Sequence, residues 1–376
     1  MTEPSSESPP GSSPGVSASA PGAGSVRGRP CRAGTVTISD VARHAGVAVS
    51  TVSYVLSGKR TISAATRQRV LTSVRTLGYH PHAGARALAS NRSNVIALVL
   101  PLRAGMHLPV LMQFTSAVVI SARRYDHDVL LVTADEGQEG IRRVAASAMV
   151  DGLVLMDVEM HDPRVPLLRQ LDQPSVLIGF PAEASGVTCV DLDFQQAGRL
   201  CVEYLAGLGH RDIALLGAPR AVYQRDTGFA RRTMAGFSAA IRELGLRSAV
   251  SSCEERSEAV HRTTAALLAR RPELTAFVVH NEGAVGHVLA ALTALGLRVP
   301  DDVSVLAICP DEVAERANPA LSSVLVPAED VGRQAVDMLM RKLNGQEVED
   351  ATLLAPRLTP RASTTAPRPL PDERCR

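Results

Sequence analysis

Short, continuous apolar runs punctuate the chain from residue 94 onward: NVIALVL (94–100), DVLLV (128–132), DGLVLM (151–156), SVLIG (175–179), DIALLG (212–217), TAFVVH (275–280) and DVSVLAI (302–308). The early runs are followed by segments of helical period, among them LPVLMQFTSAVVISARRY (108–125) and FQQAGRLCVEYLAGLG (194–209). A run that is apolar throughout has both faces buried, and a helix between consecutive runs returns the chain so that they lie parallel. Residues 95–360 hold more of this pattern than one open sheet usually takes. The expected fold is α/β, with two lobes of parallel sheet.

Upstream the period changes. Thr37 stands where it can cap a helix, with Asp40 three residues later to close a capping box. Ile38, Val41, Ala42 and Ala45 recur at i, i+3, i+4 and i+7 and face one core. Gly46 supplies the turn into a second helix, about Val49 to Leu56, which buries Val52, Val55 and Leu56 and leaves Val49, Ser50, Ser53 and Tyr54 outside. Ser63 caps a third helix, closed by Val70, Leu71, Val74 and Leu77 and ended by Gly78. This is an all-α helix-turn-helix bundle. The segment that follows, HAGARALAS (82–90), is too small to fold alone and is expected to become a helix when DNA and a partner chain order it.

Charge divides the chain at the same place. Residues 35–94 hold eight Lys/Arg and one acidic residue. Over residues 1–94 the count is 11 against 3, a net of +8, which leaves residues 95–376 at −6 within a total of +2. The basic end suits phosphates and a helix laid in a DNA groove, whereas the acidic remainder does not.

Composition adds little to that picture but excludes several classes. At 376 residues, 45% hydrophobic and 21% charged, the chain is globular and suits two or three domains. Residues 1–34, rich in Ser, Pro, Gly and Ala, and residues 361–376 read as disordered arms. No apolar run approaches the ~20 residues of a membrane span. The first residues lack the apolar stretch of a signal peptide, so a cytoplasmic, nucleoid-associated protein is expected. Cys31, Cys189, Cys201, Cys253, Cys309 and Cys375 have no metal-ligand spacing and read as reduced thiols. His210 and His280 lack a carboxylate or cysteine partner at useful spacing, so a structural role is expected and neither metal nor cofactor is. A nucleotide-dependent enzyme would need GxGxxG after a strand, GxxxxGK[ST] or GxSxG, and none is present. A sugar-binding receptor would share the α/β core, but not the basic bundle.

The segment TISDVARHAGVAVSTVSYVLSGKRTISAATRQRV, followed by LGYHPHAGARALAS, resembles the lactose-repressor/galactose-repressor family of bacterial transcription regulators. The similarity runs on through VDLDFQQAGRLCVEYLAGLGHRDIALLG (190–217), AGFSAAIRELGL (235–246), LGLRVPDDVSVLAI (295–308) and NPALSSVLVPAEDVGRQAVDMLM (318–340). The resemblance implies a headpiece (35–80), a hinge helix and linker (81–94) and a two-lobed periplasmic-binding-protein-like core (95–360), working as a homodimer on a pseudo-palindromic operator in double-stranded DNA. By family default the regulator is a repressor. The family's tetramers use a C-terminal heptad helix that residues 361–376 do not contain, so a dimer is expected.

By the same resemblance residues 49, 50 and 54 occupy the main base-reading positions, and Leu88 enters the minor groove as a wedge. The candidate DNA contacts are Thr37, Val49, Ser50, Thr51, Ser53, Tyr54 and Thr66 in the headpiece, with Arg86 and Leu88 in the hinge. Tyr54 stands where Arg is commonest, Ala48 replaces a frequent Ser and His82 a frequent Asn. The lobes are expected to exchange chain near Asp191, Pro310 and Asn344, giving one lobe from 95–191 with 311–344 and another from 192–310 with 345–360. A small-molecule effector, a sugar or similar metabolite, would lie in the cleft at the carboxyl ends of the strands. The candidates there are Arg103, His107, Gly179, Asp193, Arg232, Thr233, Asn281 and Glu282. Phe194, Thr233 and Asn281 depart from the family's common residues, which points to a changed effector.

Overall fold

The computed structural model describes residues 36–57, 60–79, 92–100, 102–103, 106–133, 137–147 and 149–368. They fall into two compact units, one ending at residue 82 and the other beginning at residue 83.

The first unit is a bundle of α1 (Ile38–Ala45), α2 (Val49–Ser57) and α3 (Ala64–Leu77). The capping box forms as the spacing predicts: Asp40 N donates to Thr37 Oγ1 at 3.3 Å, and Thr37 N donates to Asp40 Oδ2 at 3.0 Å. Gly46 ends α1 at φ +63°, a left-handed conformation that costs glycine nothing. Val41, Val52 and Val70 are fully buried at the meeting of the three helices, with Tyr79 closing the core from beyond α3. Apolar burial on this scale is small, and the caps hold helices that would be marginal alone.

The second unit begins with β1 (Val95–Val99), α4 (Leu108–Arg123), β2 (Asp128–Val132), α5 (Gly137–Ala146), β3 (Gly152–Leu155), α6 (Val165–Leu168), β4 (Ser175–Ile178) and β5 (Thr188–Leu192). It continues through α7 (Phe194–Gly207), β6 (Asp212–Gly217), α8 (Arg220–Gln224), α9 (Gly228–Glu243), β7 (Arg247–Ser252), α10 (Ser257–Arg270) and β8 (Ala276–Val279). The last elements are α11 (Val285–Ala294), β9 (Ser304–Cys309), α12 (Asp311–Arg316), β10 (Ser322–Leu325), α13 (Ala328–Leu343), β11 (Ala351–Leu354) and β12 (Leu358–Thr359).

Among the described residues these strands make two six-stranded sheets, ordered β11-β5-β4-β3-β1-β2 and β12-β10-β9-β8-β6-β7. Every pairing is parallel except β10 with β12. The central strands β3, β4, β8 and β9 are buried along their whole length, as continuous apolar runs require.

Two of the expected chain exchanges lie elsewhere. The passage at β5 to α7 is where the sequence suggests, but residues 311–325 stay with the second lobe because β10 pairs with β9. The chain returns to the first lobe only at α13, whose Val331, Val336 and Leu339 pack in that lobe's core. Residues 345–354 likewise belong to the first lobe, since β11 pairs with β5, and the last exchange falls between β11 and β12. SSVL and ATLL are too short to show a period, so only their hydrogen-bonded neighbours assign them.

The expected disordered tail also needs correction, because residues 361–368 are bound to the second lobe. Val305 N donates to Ser363 O at 2.9 Å, Ser322 N donates to Ser363 Oγ at 2.8 Å, and Arg361 pairs with Asp311 at 2.9 Å. Backbone and hydroxyl groups attach this polar segment to the sheet, a link that composition does not reveal. Residues 369–376 and 1–34 lie outside the described residues.

In the second lobe α7 and α9 cross at glycines. A Cβ on Gly236 would lie 1.8 Å from Gln195 O, and one on Gly198 would lie 2.2 Å from Thr233 O. Only backbone fits between these helices. The crossing fixes where Phe194, at the start of α7, meets Phe229 on α9.

Candidate functional site

The headpiece presents α2 as its outer helix. Val52 and Val55 face the core, whereas Val49 (44% exposed), Ser50 and Tyr54 (36% exposed) face solvent, with Thr51 and Ser53 half-buried beside them. Arg60, just past α2, sets its guanidinium 5.8 Å from the centre of the Tyr54 ring. Thr37 is occupied with the α1 cap. Thr66 in the first turn of α3 donates its backbone N–H to Ser63 Oγ, and its hydroxyl accepts from Ser63 Oγ at 3.0 Å. Arg86 and Leu88 lie outside the described residues.

In the second unit a cleft of about 1010 Å³, counting its open mouth, runs between the lobes at the carboxyl ends of the strands. His107, Gly179, Asn281 and Glu282 all line it. Gly179, at the end of β4, has φ +129° and lies against Val158, where a side chain would strike. Asn281 is buried and commits its Nδ2 to Cys253 O at 2.7 Å.

The other four expected residues do not line the cleft. Arg103 pairs with Asp157 at 2.9 Å and presents it to the cleft wall. Asp193 caps α7, its Oδ1 accepting from Gln196 N at 2.9 Å. Thr233 is fully buried beside the α7–α9 crossing and donates to Phe229 O at 2.9 Å. Arg232 crosses to the other lobe, donating to Pro181 O at 2.9 Å and stacking 5.2 Å from the Phe180 ring centre.

How several cleft residues come together was not legible in the sequence. Phe194, Phe229 and His280 pack ring to ring, with centroids 5.5 to 5.7 Å apart. His280, which follows a strand end and reads as structural rather than metal-binding, lines the cleft with an Nδ1 that has no hydrogen-bond partner among the described residues. Its burial pushes the imidazole pKa down to about 4, so the ring is neutral. His210 does act structurally, joining Thr275 Oγ1 at 2.8 Å to Thr365 O at 3.0 Å. Asp191 is buried at the cleft floor, and burial pushes its carboxyl up to about 7. Glu255 faces His107 Nδ1 at 3.7 Å, and burial holds the Glu282 carboxyl above the usual range. Asp157 and Arg225 approach at 3.9 Å. Aromatic residues brought together from α7 and α9 have no sequence period in common, which is why pattern reading misses them.

The lobes touch directly along one side of the cleft. Gly228 N donates to Val158 O at 2.9 Å, Met160 N to Asp226 O at 2.8 Å, and Glu159 and Thr227 form an antiparallel bridge. No helix among the described residues is long and apolar enough to cross a membrane. Cys189, Cys201, Cys253 and Cys309 are buried free thiols.

Residues 37–82 match the family described as bacterial regulatory proteins, lacI family, and residues 202–364 match a periplasmic binding protein-like domain. The chain is 30% identical over 324 residues to the HTH-type transcriptional repressor PurR of Vibrio parahaemolyticus, covering 83% of this chain and 93% of that one. It is 25% identical over 328 residues to catabolite control protein A of Staphylococcus epidermidis, covering 86% of this chain and 97% of the relative. Among solved structures it is similar to the lac repressor dimer bound to operator and the anti-inducer ONPF, with a TM-score of 0.76 and 25% identity over 89% of this chain and 100% of that one. It is also similar to a CelR–cellobiose complex, with a TM-score of 0.62 and 28% identity over 87% of this chain and 99% of that one. With its helix-turn-helix unit, its two parallel-sheet lobes and these relatives, the chain belongs to the lacI family of bacterial regulatory proteins: it is a DNA-binding transcriptional regulator and not an enzyme.

Proposed function

We propose that two copies of this chain grip a pseudo-palindromic operator through Val49, Ser50 and Tyr54, and that a small molecule in the interlobe cleft sets the strength of that grip. The observation that carries the reading is the exposure of these three side chains on a helix whose opposite face is buried. A helix held this way enters a major groove with its outer residues against base edges. Arg60 brings a guanidinium to the same surface.

An apolar stripe on the first lobe supports the dimer. Leu108, Met112, Val119 and Ile120 of α4 stand at i, i+4, i+11 and i+12, and Leu108 and Ile120 are 52% and 59% exposed. Patches of this kind on a charged protein mark contact surfaces. Arg86 and Leu88 of the hinge remain DNA contacts in this reading, Leu88 as the minor-groove wedge that the family resemblance implies. The effector acts only through different affinities for two lobe arrangements, and Arg232, which reaches across to Phe180 and Pro181, sits where such arrangements would differ.

The test is selection of bound sequences from a random double-stranded DNA pool with the full chain. The expected result is one sequence with two inverted half-sites. Enrichment of no sequence, or of a single unrepeated half-site, overturns the reading.

A further inference from the structure

The polar groups of the cleft are not balanced. Asp157 has two guanidinium partners, Arg103 at 2.9 Å and Arg225 at 3.9 Å. On the opposite wall, Glu255 has only His107, at 3.7 Å, and Glu282 makes no ion pair among the described residues. The Glu255 carboxyl packs against Gly283 and fills the space a Cβ there would take, 2.4 Å from its Cδ. His280 beside them is 2% exposed and contributes no positive charge. Glu255 is 30% exposed and loosely paired with His107, whereas Glu282 has no counter-ion among the described residues; a cation entering the cleft would face both and offset the cost of the unpaired carboxylate.

The remaining surface is apolar and aromatic. Met106, Val110, Leu111, Phe114 and Met156 line the first lobe's side, and the Phe194–Phe229–His280 cluster lines the second. A polyol needs a donor or acceptor for each hydroxyl, and most of this wall offers neither. Asn281 has its amide nitrogen committed to Cys253 O. Aromatic faces carry negative charge density and attract cations. An anion would meet Glu255 and Glu282, and Arg225 is already turned to Asp157.

We propose that the cleft takes a small organic cation, a protonated or quaternary amine on an apolar body, with its nitrogen between Glu255 and Glu282 and its body against Phe194 and Phe229. This rests on the reading of the cleft as the effector site, and it names the class of effector. The Nδ1 of the buried His280, without a hydrogen-bond partner among the described residues, offers a further hydrogen-bonding position to a group on the ligand.

The full chain without DNA is titrated calorimetrically with phenethylamine, its trimethylammonium analogue, phenethyl alcohol and glucose. The expected result is that both amines bind at least tenfold tighter than the alcohol. Glu282→Gln and Glu255→Gln should each reduce that preference, and Phe194→Ala should weaken amines and alcohol together. Equal binding of amine and alcohol, tighter binding of glucose, or binding of none at millimolar concentration overturns the proposal. The wild-type series decides this even if a variant fails to fold. DNA selection on the same preparation separates the outcomes: an operator found without amine binding sinks only the cation, and amine binding without an operator sinks only the proposed operator reading.

Discussion

Arg232 and Phe180 join the two lobes: the guanidinium on α9 lies 5.2 Å from the centre of a ring carried on the other lobe and donates to the carbonyls of Phe180 and Pro181. The contact lies away from the cleft lining yet spans the same two bodies. Arg232→Ala should cost about 1–3 kcal/mol, as loss of hydrogen bonds from a charged group does, and should let the lobes separate. Small-angle scattering of the ligand-free protein should then report a larger radius of gyration. An unchanged radius would remove Arg232 from any role in lobe closure. Arg232→Lys keeps the charge and loses the planar stack, so it should fall between.

Tyr54 gives a direct handle on operator choice. Its phenol stands on the exposed face of α2 under Arg60. Tyr54→Arg should introduce a bidentate contact with guanine, worth about 1–3 kcal/mol of discrimination at one base pair. Selection from random DNA with the variant should show guanine newly preferred at one position per half-site. An identical selected sequence for both proteins would show that Tyr54 does not face the bases.

The buried Asp191 makes stability depend on pH in a known direction. Burial raises its carboxyl to about 7 in the folded protein, above the ordinary 3.8. Between these values the folded state holds a proton that the unfolded state releases, so this group's contribution to stability falls as pH rises from about 4 to about 7. Asp191→Asn should abolish that slope and be more stable than wild type at pH 8 by a few kcal/mol. His280, whose imidazole is lowered to about 4, has the opposite slope over a similar range. Urea unfolding across pH 4 to 8 with each single variant separates the two. A wild-type slope persisting in Asp191→Asn would refute the assignment.

Gly236→Ala tests the helix crossing. The new Cβ would lie 1.8 Å from Gln195 O, a backbone atom that cannot turn aside. A loss of about 3 kcal/mol is expected, the upper part of the usual overpacking range, with cleft affinity falling because Phe194 and Phe229 shift. Urea unfolding and calorimetry check both. Gly207→Ala, where a Cβ would meet nothing within 4 Å, is the control and should lower neither.

Much of the headpiece was legible because its determinants are local. Thr37 and Asp40 cap within one turn, Gly46 and Gly78 need only their own φ, and Val41, Ala42 and Ala45 bury one face of α1 at helical spacing. The apolar strands of the lobes were legible for the same reason, as runs of four to six buried residues. SSVL and ATLL were assigned to the wrong lobes because membership in a sheet is set by a partner strand. The cleft was half legible. His107, Gly179, Asn281 and Glu282 follow strand ends, but Asp193 does so too and caps α7, while Arg232 and Thr233 lie within α9 and are turned to other tasks.

Local order thus lies in the sequence itself: caps, turns, amphipathic periods, continuous apolar strands and the separation of basic from acidic charge are written within a few residues of one another. Tertiary structure alone decided which strand joins which sheet, that residues 361–368 bind the second lobe, and which polar groups face the cleft. It set Glu255 opposite His107 across the lobes and put Phe194, Phe229 and His280 in one cluster. The physical reason is that burial and pairing are properties of neighbours in space. A carboxylate's unmet charge, or a ring's open face, exists only once distant segments have packed around it.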